Sequence, residues 1–141
     1  MEGKKKAQQN QQSVVASRKK RILYIDDEKD FLLLTKIRLE RSGEFEVITT
    51  TDPEEGMELA KKLQPDLILM DVIMPGVGGG RVAEILLGDI QTKRIPILFY
   101  SALVNDISVE NKRLQQIGGR DFIPKTAGYQ ELIRRIRRVL C

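Results

Sequence analysis

The chain has no tryptophan, no histidine and a single cysteine. One cysteine, Cys141, cannot close an internal disulfide, and without histidine it cannot build a usual zinc site. Aromatic residues are scarce, three Tyr and four Phe. No apolar run approaches the length needed to span a membrane. The amino terminus has Lys4-Lys5-Lys6 but no apolar stretch behind it, so it does not read as a secretory signal. A cytoplasmic protein is expected.

What is present suits one domain: 141 residues with an apolar share of 41%. The net charge of +4 is misleading until divided. Residues 1–20 carry six Lys/Arg and one Glu, whereas residues 21–141 carry eighteen Lys/Arg and nineteen Asp/Glu. The basicity belongs to a leader, expected to be disordered over 1–20, and the domain occupies 21–141. A nucleic-acid binder would carry that charge on its folded face, so direct DNA binding is not expected.

From Arg21 onward two patterns alternate. Short apolar runs fall at Ile22–Ile25, Phe45–Ile48, Leu67–Met70, Ile95–Tyr100 and Phe122–Ile123. Between them lie segments with helical spacing. Residues 29–41 contain Leu33, Leu34 and Ile37. A second segment opens with Asp52 as N-cap, Pro53 at the first helical position and Glu55 at the capping-box position, and spaces Gly56, Leu59, Ala60 and Leu63 on one face. Residues 81–88 align Val82, Ile85 and Leu86; residues 106–117 end at Gly118-Gly119; residues 128–140 align Leu132, Ile136, Val139 and Leu140. Five strands and five helices in strict alternation predict an α/β fold with a parallel sheet covered on both faces.

Ligands of such sheets bind beyond the carboxyl ends of the strands, where strand order reverses. The first strand ends in Asp26-Asp27-Glu28, the third in Asp71, the fourth in Ser101-Ala102 and the fifth in Pro124-Lys125-Thr126. If the first and third strands are neighbours, three aspartates converge, flanked by a hydroxyl and an ammonium. Clustered carboxylates repel unless a cation is present. An all-oxygen donor set suits Mg²⁺. A carboxylate beside Mg²⁺, with Lys125 and Ser101 placed to hold phosphoryl oxygens, points to phosphoryl transfer onto Asp71 as nucleophile. Taken singly, each residue has an ordinary explanation as a cap, turn former or surface charge. Their joint placement at four strand ends is the informative feature.

"ILYIDDEKD", "PDLILMDVIMPG", "ILFYSA" and "GGRDFIPK" resemble the defining blocks of the response-regulator receiver domain of two-component signalling. The resemblance extends over residues 21–140 and is closest to stand-alone, chemotaxis-regulator-like receivers. It implies a flavodoxin-like, doubly wound five-stranded sheet of order 2-1-3-4-5 with five helices. It implies that Asp71 accepts a phosphoryl group from a histidine kinase or phosphotransfer protein. By the same match Asp26 and Asp27 form the acid pair serving Mg²⁺, with Asp27, Asp71 and the backbone carbonyl of Ile73 as direct ligands. Ser101 matches the switch hydroxyl, Lys125 the phosphate-binding lysine and Phe122 the aromatic switch position. The protein would be a signalling switch rather than a classical enzyme, promoting its own aspartyl phosphorylation and dephosphorylation.

Three departures from the family pattern stand out. Val77-Gly78-Gly79-Gly80 replaces the usual residue-Asp-Gly, removing a helix-capping Asp and adding flexibility. Thr126 stands where a cis proline usually follows the lysine. A trans Lys125–Thr126 bond is expected, since cis threonine costs roughly 3–4 kcal/mol, with Lys125 reaching the pocket less directly. Phe122 lacks the hydroxyl of the common tyrosine.

The expected output surface combines the fourth helix, fifth strand and fifth helix, which would face an unknown downstream protein or pair two copies. The fifth helix carries Arg134, Arg135, Arg137 and Arg138, either a solvated end complementing the macrodipole or a docking face. With no output module after it, the chain reads as a stand-alone receiver or as a piece of a longer regulator. A non-phosphorylated pseudo-receiver is the alternative, weakened by the intact acid set. An unrelated aspartate-nucleophile phosphatase would need an acid where Ile73 stands.

Overall fold

Five apolar runs pair into one parallel sheet in the computed structural model, which describes residues 18–102 and 122–141. The strands are β1 (Lys20–Ile25), β2 (Phe45–Thr50), β3 (Leu67–Met70), β4 (Ile97–Ser101) and β5 (Phe122–Pro124), in the order β2-β1-β3-β4-β5. Helices α1 (Lys29–Arg41), α2 (Pro53–Leu63), α3 (Gly79–Gly88) and α4 (Tyr129–Leu140) alternate with them. The helix expected over 106–117, with its Gly118-Gly119 stop, lies outside the described residues. The architecture is the flavodoxin-like, doubly wound sheet. Strand order reverses between β1 and β3, so their carboxyl ends flank the crevice where such folds bind ligands.

The central strands are apolar on both faces because both faces are covered. Ile22 and Tyr24 of β1 and Leu67 and Leu69 of β3 pack with Leu32 and Leu39 of α1 and with Leu132, Ile133 and Ile136 of α4. Leu23, Ile25, Ile68 and Met70 face the other way, toward Ala60 of α2 and Val82, Ala83 and Leu86 of α3. The period of two along each strand thus divides the core into two layers.

Helix α1 departs from its expected orientation. Leu33, Leu34 and Ile37 are 60%, 46% and 46% exposed, while Leu32, Thr35 and Leu39 are buried. Four successive apolar residues, Phe31 to Leu34, offer two competing faces. The buried one includes a threonine, which a reading by hydropathy passes over. On α3, Ile85 is likewise 39% exposed, and Ala83 takes its place beside Val82 and Leu86.

Helix α2 starts where expected, with the Asp52 carboxylate accepting from the Glu54 N–H at 3.0 Å and Pro53 in the first turn. The reciprocal capping-box bond from Glu55 is not made. The Asp52 N–H donates instead to Thr50 Oγ1 at 3.1 Å, a nearer acceptor at the end of β2.

Candidate functional site

The acid pocket is built by extending the sheet one residue beyond its strands. The Asp26 N–H donates to the Thr50 carbonyl at 3.2 Å, and the Asp71 N–H donates to the Ile25 carbonyl at 3.1 Å. Both aspartates are therefore fixed by the ladder. β1 and β3 are adjacent, with Ile25 opposite Met70, so their next residues meet. Carboxylate oxygens of Asp26, Asp27 and Asp71 all lie within 4.8 Å of one another. Asp26 and Asp71 are buried, whereas Asp27 is exposed.

Lys125 enters from the end of β5 and binds three carboxylates. Its Nζ lies 2.6 Å from Asp26 Oδ2, 3.1 Å from Asp71 Oδ2 and 3.2 Å from Glu28 Oε1. Two of these contacts, to Glu28 and Asp71, are hydrogen bonds, and the third, to Asp26, is a close ion pair. The aliphatic stem is covered, and Nζ also sits 4.5 Å from the centroid of the Phe31 ring. Burial works against the charged form, but the close contact and charge of Asp26, then those of Asp71, outweigh it. The ammonium is held above the ordinary lysine range.

The Lys125–Thr126 bond is trans, with no cis peptide among the described residues. The expected consequence does not follow, because Lys125 reaches both buried aspartates directly. The route is local. Pro124 keeps an extended backbone at φ −70°, ψ 141°, and the chain then tightens into a 3₁₀ turn over Lys125–Ala127. A proline before the lysine and a short turn after it aim the side chain at the strand ends.

The glycines after β3 also act otherwise than expected. Gly78 is the N-cap of α3 and supplies no side-chain cap, in keeping with the missing Asp. Gly79, however, is a point of contact. A Cβ there would fall 2.1 Å from the Asp71 carbonyl oxygen, and its N–H donates to the Val72 carbonyl at 2.8 Å. Only glycine lets α3 start this close to the backbone of Asp71.

The remaining expected residues take these places. Ile73 is 56% exposed, and its N–H donates to Asp71 Oδ1 at 3.3 Å. Ser101 is buried at the end of β4, beside Pro124 of β5 in the strand register. Phe122 is half-buried, pairs with Phe99 in that register and packs against the α2–α3 layer of the core.

Three contributors were not assigned roles in the sequence: Glu28, Phe31 and Tyr24. Glu28 was visible only as part of an acidic run. Phe31 depends on the path of α1 after the site. Tyr24 could have been found, because residues two apart on a strand share a face and Tyr24 stands two before Asp26. Its hydroxyl donates to Asp26 Oδ2 at 2.8 Å. Burial, followed by the Asp26 charge and this hydrogen bond, pushes the phenol well above its ordinary value.

Strand order, the aspartates at the reversal point and the lysine reaching them from β5 are together the arrangement of a receiver domain. The chain belongs to the response regulator receiver domain family, whose family model matches residues 22–137. It is 34% identical over 121 residues to the alkaline phosphatase synthesis transcriptional regulatory protein PhoP of Bacillus subtilis, covering 86% of this chain and 48% of that protein. It is 29% identical over 120 residues to Protein PilH of Pseudomonas aeruginosa, covering 85% of this chain and 97% of PilH. Its fold is shared with the Vibrio cholerae chemotaxis protein CheY4, at a TM-score of 0.79 and 24% identity, covering 86% of this chain and 99% of CheY4. The chain spans about half the length of PhoP and nearly all of PilH. No helix among the described residues is long and apolar enough to cross a membrane.

Proposed function

We propose that the chain is a two-component switch that accepts a phosphoryl group on Asp71 from a phosphohistidine of a kinase or phosphotransfer protein. The observation that carries this reading is the convergence of Asp26, Asp27 and Asp71 on one point, with the Lys125 ammonium shared between Asp26 and Asp71. One Asp71 oxygen attacks phosphorus as the nitrogen–phosphorus bond of the donor breaks. The lone pair left on the imidazole takes up a proton. The protein contributes mainly positioning and charge neutralisation.

The donor set fits a hard divalent cation: three carboxylates within 4.8 Å, with no sulfur or imidazole among them. Asp27 and Asp71, with the Ile73 carbonyl, would hold Mg²⁺ directly and Asp26 would support it. When bound, the ion offsets negative charge on the phosphoryl oxygens. Lys125 must release a donor to those oxygens. The bond to Glu28 is the cheapest to give up, because that side chain is 56% exposed while the two aspartates are not.

Ser101 then donates to the acyl phosphate, and Phe122 adjusts its burial at the end of the same pair of strands. The responding surface comprises β5, α4 and the segment 106–117, the last outside the described residues. On α4, Arg134 and Arg135 bind Glu131, and Arg137 binds Glu44. Much of the cationic stripe is thus met by the chain's own carboxylates. That favours its reading as a helix end complementing the macrodipole, and a docked partner or second copy would have to displace those pairs. We place the receiver domain at 21–141 and a leader at 1–20.

Intact-mass spectrometry after incubation with acetyl phosphate and Mg²⁺ tests the reaction. The wild type gains one phosphoryl group and Asp71→Asn gains none. Equal labelling of both, or no labelling of the wild type, overturns the assignment.

A further inference from the structure

Asp26 is fully buried, accepts two hydrogen bonds and is ion-paired with Lys125. Oδ2 takes the Tyr24 hydroxyl at 2.8 Å and lies 2.6 Å from the Lys125 ammonium, and Oδ1 takes the Glu28 N–H at 3.0 Å. A carboxylate oxygen has two in-plane lone pairs. Oδ2 is therefore already engaged by the Tyr24 hydroxyl and the Lys125 charge, and Oδ1, with one hydrogen bond, has a pair to spare. The ring that delivers the hydroxyl cannot swing away. It is fully buried in the layer between the sheet and α1 and α4, with the Tyr100 ring centroid 6.2 Å from its own.

We propose that Tyr24 is a positioning residue of the acid pocket: its hydroxyl locks the rotation of Asp26, so that Oδ1 is the edge left free to support a cation held by Asp27 and Asp71. This rests on the Mg²⁺-dependent reading above. Lys125 alone could not set that rotation, because its ammonium is divided among Asp26, Asp71 and Glu28 and must move during phosphoryl transfer. Tyr24 takes no part in the transfer and keeps Asp26 aligned while Lys125 changes partners. Partners that orient metal-ligating groups from behind commonly alter metal affinity by about 10–100-fold when removed.

The absence of tryptophan makes the contact observable. Tyrosine emission is quenched when the hydroxyl donates to a carboxylate, and a cation that draws charge from Asp26 weakens that bond. Tyr24, Tyr100 and Tyr129 are the only tyrosines in the chain. The Tyr100→Phe/Tyr129→Phe double variant leaves Tyr24 as the sole emitter, and its emission should rise with Mg²⁺ at the midpoint measured by calorimetry. Tyr24→Phe keeps the ring and loses only the hydroxyl. Its Mg²⁺ dissociation constant should rise about tenfold, the low end expected for such supporting groups.

A purely structural tyrosine would shift the melting temperature of Tyr24→Phe and leave its Mg²⁺ affinity equal to wild type, and that result overturns the inference. So does calorimetric Mg²⁺ binding by the double variant with no change in its emission, a test that stands even if Tyr24→Phe does not fold. If the wild type binds no Mg²⁺ by calorimetry, the proposed function fails and this inference with it.

Discussion

Lys125 Nζ lies closer to Asp26 than to Asp71, 2.6 Å against 3.1 Å, although Asp71 is the residue proposed to receive a phosphoryl group. In this state the lysine serves mainly as the counter-ion of a buried acid pair. Replacing it with an uncharged side chain leaves two buried carboxylates facing each other. Lys125→Met should lose about 3 kcal/mol without metal, the lower end for breaking a buried pair, since Glu28 is exposed and water can reach that side. Mg²⁺ should restore more stability to the variant than it adds to the wild type. Thermal melts with and without Mg²⁺ check both halves, and equal metal responses would count against a shared counter-ion role.

Asp27 is the exposed member of the cluster, and no hydrogen bond or ion pair of Lys125 to it is found among the described residues. Its charge adds repulsion to the acid cluster without an ion pair to Lys125. Asp27→Ala should melt slightly higher than wild type without metal, by no more than about 1 kcal/mol at so exposed a position. The same variant should gain almost nothing from Mg²⁺. Melts at fixed pH decide it, and a lower melting temperature without metal would show that Asp27 supports the fold.

Stability should vary little between about pH 6 and 8, where histidine would titrate, because the chain has none. On the alkaline side, Lys125 and Tyr24 act in the same direction. Both have folded-state pKa values raised above the unfolded ones. The folded state then holds protons that the unfolded state loses, so stability falls as pH rises through the window that opens near the unfolded values, about 10 to 10.4. The groups facing them are Asp26, Asp71, Glu28 and Tyr100. Tyr24→Phe should lose less stability than the wild type between pH 8 and pH 10.5, as measured by urea unfolding at each pH.

Two glycines of α3 should respond oppositely to alanine. Gly79→Ala forces a Cβ to within 2.1 Å of the Asp71 carbonyl oxygen, so the helix start or the end of β3 must move. A loss of about 2–3 kcal/mol is expected, as for overpacking in a core, with slower labelling of Asp71. Gly88 closes the same helix with nothing within 4 Å of a Cβ built there. Gly88→Ala should gain up to about 0.5–1 kcal/mol through helix propensity alone. Chemical denaturation of the pair separates close approach from a general effect of glycine.

Much of the fold was legible because its signals are local. A doubly covered parallel strand must be apolar on both faces, so Leu67–Met70 announced β3 with its observed limits. Asp52 and Pro53 likewise marked the start of α2 through bonds made within a few residues. Where the local pattern was degenerate, reading failed. Phe31 to Leu34 could present either face of α1, and the choice fell to the face on which Thr35 is buried and Leu32 and Leu39 join the core with the sheet and α4.

By itself the sequence determined the alternation of strands and helices, the carboxylates and the ammonium at strand ends, and the family they belong to. These follow from periodicity and residue type, properties carried within short stretches of chain. Only the tertiary structure decided that Lys125 divides itself among Asp26, Asp71 and Glu28, that Tyr24 stands behind Asp26, and that Gly79 must be glycine. Lys125 and Asp26 are nearly a hundred residues apart in the chain and meet through the sheet order, while Gly79 is constrained by the approach of α3 to the backbone of Asp71. Distances of this kind depend on how packed layers settle against one another, and no local pattern encodes them.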